Sequence, residues 1–187
     1  DVSHIAGDNA VASCVVFSKT GPLKNNYRLF NIPKKLSGND IGSLKHVIER
    51  RLKYYDDPKT KPDLILIDGG KSQLKFVNKI IYESEHKGIE VISIVKGANR
   101  LRATETIIGE NGVLELDKYS KAFLLLQEIR DESHRFALQA QRKKKRKKIT
   151  RSELDSIKGI GKTLKNRLIK KYKSIKQIRY ATTEELM

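Results

Sequence analysis

The sequence predicts an α/β fold in which a mixed sheet of about five strands is flanked by helices and followed by a small all-helical tail. Three observations support this prediction. Short runs of Val, Ile and aromatic residues fill the first forty positions, and strand and helix patterns alternate from residue 41 onward. A basic, helix-forming segment occupies the last quarter. The 187 residues suffice for one full domain and a small appendage.

The first strands are predicted at residues 2–6, 11–19 and 27–32. Gly, Asp, Asn and Pro separate them, and such short connections favour an antiparallel meander. Cys14, the single cysteine, lies in one of these apolar runs and is expected to be a small buried hydrophobe. One cysteine excludes an intrachain disulfide and a cysteine-based zinc site.

A strand–helix–strand unit is predicted next. Apolar residues recur at helical spacing over 41–52, where Asn39 or Asp40 is placed to cap the helix. The continuous apolar run at 63–67 is typical of a fully buried strand, and a second helix and a short strand at 91–95 follow it. This order implies a right-handed parallel crossover.

The remaining elements of the sheet domain are a hairpin and a long helix. Strands at 104–108 and 113–116 flank Glu110-Asn111-Gly112, where Asn-Gly is a strong hairpin signal. The long helix is predicted at 120–141.

The net charge of +17 is concentrated near the end of the sequence. Residues 1–141 carry 22 basic and 18 acidic side chains, residues 142–151 eight basic and none acidic, and residues 152–187 nine basic and four acidic. We therefore predict a main folded domain at 1–141, an unpacked basic linker at 142–151 and a nucleic-acid-binding region at 152–187. No apolar run reaches the ~18 residues of a membrane span, so no membrane partner is expected.

Two aspartates are candidates for metal chemistry. Asp68 ends the most hydrophobic strand and precedes two glycines, and ligands gather beyond the carboxyl ends of parallel strands. Asp1 begins the first strand, and it would face Asp68 if that strand lay parallel and next to 63–67. Two close carboxylates need a cation between them, and Mg²⁺ prefers such oxygen ligands. A cap or turn role for Asp68 is about as well supported by its position alone.

His134 is the third candidate, on the predicted long helix. It continues a stripe that includes Leu126, Arg130 and Ala137 at intervals of three and four, on the face expected to meet the sheet. A partly buried structural histidine is the alternative to a metal ligand or proton-transfer group.

Four motifs occur in order: Asp1-Val-Ser-His4, Leu64-Ile-Leu-Ile-Asp68-Gly-Gly-Lys71-Ser-Gln-Leu74, Lys96-Gly97 and Arg130-Asp-Glu-Ser-His134-Arg-Phe-Ala137. Together with the tail they resemble the C-terminal half of the UvrC family, the incision proteins of bacterial nucleotide excision repair. The resemblance covers essentially the entire sequence. It implies that residues 1–141 form an RNase H-like endonuclease domain, which cuts the damaged strand on the 5′ side of the lesion.

The resemblance also implies residue roles. Asp1, Asp68 and His134 would form the active site. Asp40 occupies the place of a further family carboxylate that precedes the first helix, and a helix-capping role for Asp40 is the alternative. Asp1 and Asp68 would bind Mg²⁺ or Mn²⁺, and His134 would complete the metal sphere or relay a proton. Either Lys71 or Arg130 would neutralise the scissile phosphate.

The tail resembles a helix-hairpin-helix, whose hairpin exposes backbone N–H groups at the start of a helix, a natural phosphate site. A helix turn with a solvated basic face is the alternative. The expected DNA contacts in and before this tail are Arg142, Lys143, Lys144, Lys145, Gly159, Gly161, Lys162 and Lys165. Family members carry two such hairpins, so the second is expected to be truncated here.

The resemblance implies double-stranded DNA with a lesion and the damage-recognition proteins UvrA and UvrB as partners, in the bacterial cytoplasm. We also expect the sequence to be part of a longer protein, whose N-terminal half makes the 3′ cut. Two alternatives remain: a non-catalytic DNA-binding or scaffold module, and another RNase H-like nuclease such as a junction resolvase or ribonuclease H.

Overall fold

The structure, a computed structural model, describes residues 2–3, 10–96, 105–155, 157 and 159–186. The chain divides into two compact units, Asp1–Leu138 and Gln139–Met187. The first unit contains all described strands, and the second contains only helices and turns. No helix in the described part of the chain is both long and apolar enough to cross a lipid bilayer.

The first unit begins with a three-stranded antiparallel sheet. Its segment contains β1 (Val2–Ser3), β2 (Val11–Cys14), β3 (Phe17–Ser18), β4 (Gly21–Pro22) and β5 (Arg28–Asn31). Strand β2 is central and pairs with β1 and β5, which confirms the predicted antiparallel arrangement. The prediction of a single strand at 11–19 is wrong, because this segment is divided into β2 and β3. A tight turn at Gly21, with φ of +111°, pairs β3 with β4 in a separate two-stranded ribbon.

A parallel β-α-β unit and a hairpin complete the sheet elements. They are α1 (Asp40–Leu52), β6 (Leu64–Asp68), α2 (Lys71–Glu83), β7 (Glu90–Lys96), β8 (Glu105–Gly109) and β9 (Gly112–Leu114). Strands β6 and β7 pair in parallel, and β8 and β9 add antiparallel strands in the order β6-β7-β8-β9. The predicted parallel pairing and hairpin are both confirmed, and Gly112 at the turn has a φ of +128°.

Side-chain alternation places helices on both faces of this sheet. Ile65 and Ile67 of β6 pack into a core with α1 and α2, which contribute Leu44, Ile48, Leu74 and Val77. Leu66, between them, packs on the opposite face with Ile94 of β7. That second core also contains Phe123 and Leu126 of α3 (Lys121–Asp155). Asp68 therefore shares the parity of Leu66, on the face that α3 covers.

Helix α3 is longer than predicted. The prediction ended this helix at 141 and placed an unpacked basic linker at 142–151, whereas the helical backbone continues to Asp155. Lys and Arg are good helix formers, so a basic sequence is compatible with a helix. The division between the two compact units falls within this helix.

The second unit continues with α4 (Lys162–Tyr172), α5 (Ile175–Tyr180) and α6 (Thr183–Leu186). Helix α4 ends at Lys173 in the left-handed conformation, and the Ser174 side chain caps α5 by accepting from Gln177 N. Tyr172 links the first and last of these helices, because its hydroxyl donates to the Glu185 carbonyl at 2.6 Å.

The α/β class with a mixed sheet flanked by helices is confirmed. Described strands form sheets of three, two and four strands. The predicted neighbour of β6 was the first strand. Within the described residues β1 pairs only with β2, and residues 4–6 of the predicted strand lie outside those described. That adjacency therefore stays a prediction.

Candidate active site

Asp68 is the last residue of β6, at the carboxyl end of a parallel pair. Its backbone lies opposite Ile94, and the next residue, Gly69, donates its N–H to the Ile94 carbonyl at 3.3 Å. The Asp68 side chain is half-buried. Within the described residues its carboxylate has no hydrogen bond and no ion pair. Two oxygens at a sheet edge are thus available to a bound ligand.

The two glycines after Asp68 have different roles. The Gln73 side chain folds back over this turn, and its Oε1 accepts the Gly70 N–H at 2.7 Å. A Cβ on Gly69 would overlap that oxygen, whereas a Cβ on Gly70 would meet nothing within 4 Å. A side chain at Gly69 would therefore displace the end of the Gln73 side chain, and the close approach of a ligand or another backbone that the glycines were predicted to allow stays a prediction.

Asp40 begins α1 without capping it. The cap is Asn39, whose Oδ1 accepts the Gly42 N–H at 2.8 Å. Asp40 lies one position later, in the exposed first turn, where a carboxylate favours the helix dipole. Helix α1 contacts β1 and β2, so Asp40 belongs to an element beside the first strand. The capping alternative for Asp40 is wrong, and its chemical role stays a prediction.

His134 lies on α3 at the border of the buried face. The prediction placed His134 itself against the sheet, but the buried position is Ser133, and His134 is exposed. Both residues fit the spacing of three or four from Arg130, and the structure selects the interval of three, with Ala137 buried four residues later. The alternative of a partly buried structural histidine is therefore wrong.

Arg130 does not present its charge to solvent. Its side chain is 12% exposed and forms an ion pair with Glu105 of β8, which is 7% exposed. Its Nε also donates to Asp131 at 3.0 Å. The guanidinium is thus paired with a buried carboxylate in this conformation, and the predicted phosphate contact by Arg130 stays a prediction. Lys71, the other candidate, is exposed in the first turn of α2.

Two side chains of the three-stranded segment hold the turn of α3 that carries His134. Ser13 of β2 donates its hydroxyl to the Ser133 carbonyl at 3.0 Å, and the two hydroxyl oxygens are 2.9 Å apart. The Tyr27 ring packs edge-on against Phe136, with centroids 5.2 Å apart. These contacts, together with the Arg130 ion pair, attach residues 130–136 of α3, about two helical turns, to segments that belong to two different sheets.

Burial and charged neighbours shift the pKa values of Tyr27 and Glu132 beside this turn. Burial, and next the interaction of its hydroxyl with Glu132, raise the pKa of Tyr27 to about 12. Arg135 lowers the pKa of Glu132 through a bidentate pair, with N···O distances of 2.5 and 2.7 Å. Glu132 and Arg135 lie on either side of His134 in sequence, and their charges are paired with each other.

Sequence reasoning missed Ser13, Tyr27 and Glu105, the partners of this turn. Glu105 carried a signal, because it is a charged residue in a strand that otherwise continues with Thr106 and two isoleucines. Ser13 and Tyr27 carried none, since small and aromatic residues are ordinary in strands.

Asp1 lies outside the described residues, and the predicted approach of Asp1 to Asp68 stays a prediction. Among the residues that the structure describes, no three His, Cys, Asp or Glu side chains form a group that could hold a metal ion. Asp40, Asp68 and His134 are thus not brought together as a complete ligand set. The unpaired Asp68 carboxylate nevertheless fits a hard divalent cation, which prefers oxygen ligands and keeps several waters.

The second unit contains the predicted DNA contacts. Gly159 has a φ of +92°, Ile160 N donates to the Ile157 carbonyl, and Gly161 precedes the first turn of α4. Lys162 is exposed on that helix, and Lys165 is half-buried. The residues of α3 that are expected to contact DNA differ in their exposure. Arg142 and Lys143 are exposed and Lys144 is half-buried, whereas the Lys145 side chain is not among those described. The predicted helix-hairpin-helix and its DNA contacts remain predictions.

Comparison with known proteins identifies relatives of the whole chain. Residues 1–138 match the profile of the UvrC RNase H endonuclease domain. The chain is 40% identical over 188 residues to the UvrABC system protein C of Bacteroides thetaiotaomicron, 38% over 188 to that of Legionella pneumophila and 39% over 189 to that of Hahella chejuensis. Each alignment covers 100% of this chain and 30% or 31% of the relative, so the chain spans about a third of their length.

Proposed function

The chain belongs to the UvrC family, with an RNase H-like endonuclease domain at residues 1–138, and on that premise we propose that it makes the 5′ incision in nucleotide excision repair. One observation carries the proposal. The half-buried Asp68 carboxylate ends β6, one strand of the parallel pair β6–β7, without a partner among the described residues, on the face covered by the helix of His134.

The acidic residues would hold a divalent cation, Mg²⁺ or Mn²⁺. Asp68 is one ligand, and we propose Asp1 as the second. Asp1 is the residue before Val2 of β1. Val2 pairs with Ala12 of β2, which is the residue before Ser13. When bound, such a cation orients and activates water and stabilises charge on a phosphoryl group. Asp40 is proposed to contribute a further carboxylate from α1.

His134 is proposed to act as the proton-transfer group or as a nitrogen ligand that favours Mn²⁺. As a proton-transfer group, one imidazole nitrogen takes a proton from the attacking water or returns one to the sugar oxygen that leaves. The P–O bond to that oxygen breaks as the bond from water to phosphorus forms. Because His134 is exposed, a DNA strand can reach it without displacing any part of the core.

The basic second unit is proposed to bind the DNA backbone without reading its sequence. Lys162 and Lys165 supply charge beside the hairpin that ends at Gly161, and the first N–H groups of α4 provide phosphate donors. The proposed substrate is duplex DNA with a lesion, and the proposed partners are the damage-recognition proteins UvrA and UvrB in the bacterial cytoplasm.

The test is incision of a 5′-labelled lesion duplex, with the damage-recognition proteins supplied, in Mg²⁺, Mn²⁺ or EDTA. We expect a metal-dependent cut on the 5′ side that Asp68→Asn removes while DNA affinity stays within about twofold. Asp63→Asn is the matched control, because Asp63 is an exposed aspartate immediately before the same strand and should be dispensable.

Two outcomes would contradict the proposal. Full cleavage by Asp68→Asn would remove this residue from the site. Firm DNA binding by the unchanged chain without any cut, in every metal, would favour the non-catalytic scaffold. Cleavage of four-way junctions or RNA–DNA hybrids in preference to the lesion duplex would identify another RNase H-like nuclease instead.

A further inference from the structure

A pair of buried serines joins strand β2 to the turn of α3 that carries His134. Ser13 is 4% exposed and Ser133 is 7% exposed. Ser13 donates its hydroxyl hydrogen to the Ser133 carbonyl across 3.0 Å, and the two hydroxyl oxygens share a second hydrogen bond across 2.9 Å, in which either serine can be the donor. The two hydrogen bonds close a ring between strand and helix.

This ring fixes the helix more narrowly than apolar packing does. Apolar side chains can slide across one another with small energy changes, whereas a hydrogen bond weakens steeply when its length or angle leaves a narrow range. The hydroxyls are buried, so water cannot readily replace a lost partner, and separation would cost both hydrogen bonds of the pair. A shift of α3 along or around its axis therefore breaks the ring.

Two further contacts flank the serine pair along the helix. Three residues before Ser133, Arg130 pairs with Glu105 of β8, and three residues after it, Phe136 packs against Tyr27. The attachments lie on β8, on β2 and at the residue before β5, so they resist both rotation and sliding. Of the three, the serine pair is adjacent to His134 in sequence, and it is joined to the strand that pairs with β1.

We propose that Ser13 and Ser133 are positioning residues for His134, and this inference rests on the proposed function of that histidine. Neither serine touches the reacting atoms. Their hydrogen bonds set the rotation of α3 relative to β2, and because each residue turns the helix by about 100°, a small rotation moves the exposed imidazole away from its working position.

The first experiment separates positioning from general stability. Ser13→Ala, Ser133→Ala and the double variant are compared in the incision assay, with enzyme and partners saturating. We expect each single variant to cut roughly 10- to 100-fold more slowly, the range known for groups that orient a metal-site ligand. The DNA concentration for half-maximal rate should stay within about twofold. The double variant should be no slower than the slower single variant, because either change opens the same ring.

Ser84→Ala is the matched control. Ser84 is a half-buried serine whose Oγ donates to the Ile81 carbonyl at 2.7 Å, at the end of α2. It loses a comparable hydrogen bond but should cut at the wild-type rate. If Ser13→Ala and Ser133→Ala also cut at the wild-type rate once corrected for folded fraction, the proposal is overturned.

A second readout does not require cleavage. The imidazole signals of the four histidines are recorded by NMR in the full-length chain, with Mn²⁺ added in steps. We expect Mn²⁺ to broaden His134 selectively, and Ser13→Ala to shift its resonances and weaken this broadening severalfold. Ser84→Ala should leave both unchanged. Identical His134 spectra in the serine variants would refute positioning, whereas altered spectra in a chain that does not cut would uphold positioning and refute the proposed function.

Discussion

Arg130 of α3 and Glu105 of β8 form an ion pair in which both side chains are almost fully removed from solvent. The pair joins the helix of His134 to the third strand of the four-stranded sheet. Burial of two opposite charges is costly unless each satisfies the other, so the contact depends on both partners being present.

Loss of one partner should therefore be much worse than loss of both. We expect Glu105→Gln to lower the free energy of unfolding by about 3–5 kcal/mol, because it leaves the buried Arg130 guanidinium with only the exposed Asp131 carboxylate as a counter-charge. Glu105→Leu combined with Arg130→Met should recover most of that loss. Urea unfolding of the three proteins measures it. Equal stability of the single and double variants would show that the pair is not buried in solution.

The turn after Asp68 provides a prediction from two adjacent glycines. Gly69→Ala should displace the Gln73 side chain and break its hydrogen bond to Gly70 N, at a cost of about 0.5–1.5 kcal/mol. It should also slow incision, since the Asp68 backbone must adjust. Gly70→Ala meets open space and is the control. Thermal unfolding and incision rates of both variants test this, and indistinguishable variants would contradict it.

Asn39 and Asp40 separate helix capping from chemistry. Asn39→Ala removes the cap of α1 and should lower stability by about 1 kcal/mol, with the incision rate per folded molecule unchanged. Asp40→Asn keeps the cap and the size of the side chain, and it should slow incision with little change in stability. Reversed results, in which only Asp40→Asn destabilises the protein, would return Asp40 to a structural role.

The raised pKa of Tyr27 predicts that the free energy of unfolding falls at high pH. Its pKa in the folded protein is about 12, above the ordinary value of 10.0, because burial and then Glu132 disfavour the phenolate. The stabilising contribution is complete below pH 10 and is lost as the pH rises through about 12. Difference titration of tyrosinate absorbance between wild type and Tyr27→Phe should isolate this late step. A step near pH 10 would contradict the prediction.

The basic second unit should dominate the salt dependence of DNA binding. Residues 142–187 carry 17 basic and four acidic side chains. Their removal should weaken binding and flatten the plot of log affinity against log salt, because fewer counterions are released from DNA. Filter or anisotropy binding over a salt series measures the slope. A slope equal to that of the full chain would place the phosphate contacts elsewhere.

Local signals explain what the sequence predicted well. The cap at Asn39, the parallel pair β6–β7 and the turn at Gly112 depend on residues close together in sequence or on chain order. Each has a physical cause that operates within a few residues, so composition and spacing suffice to find it.

Non-local contacts explain the errors. From Arg130, Ser133 and His134 fit the helical period equally well, and only the partner on β2 decides between them. The division of the strand predicted at 11–19 likewise depends on how the Gly21 turn folds back. The ion pair of Arg130 with Glu105 was not predicted, because the two residues are 25 positions apart in sequence. Periodicity contains no information about such pairings.

The Ser13–Ser133 bond joins residues 120 positions apart, and this separation has a consequence for the timing of folding. A contact that closes so long a loop costs conformational entropy that only extensive prior structure offsets. During synthesis, the aspartate of β6 is made long before the histidine of α3. The proposed site therefore remains incomplete on the ribosome until nearly three quarters of this sequence has emerged and its helix has docked.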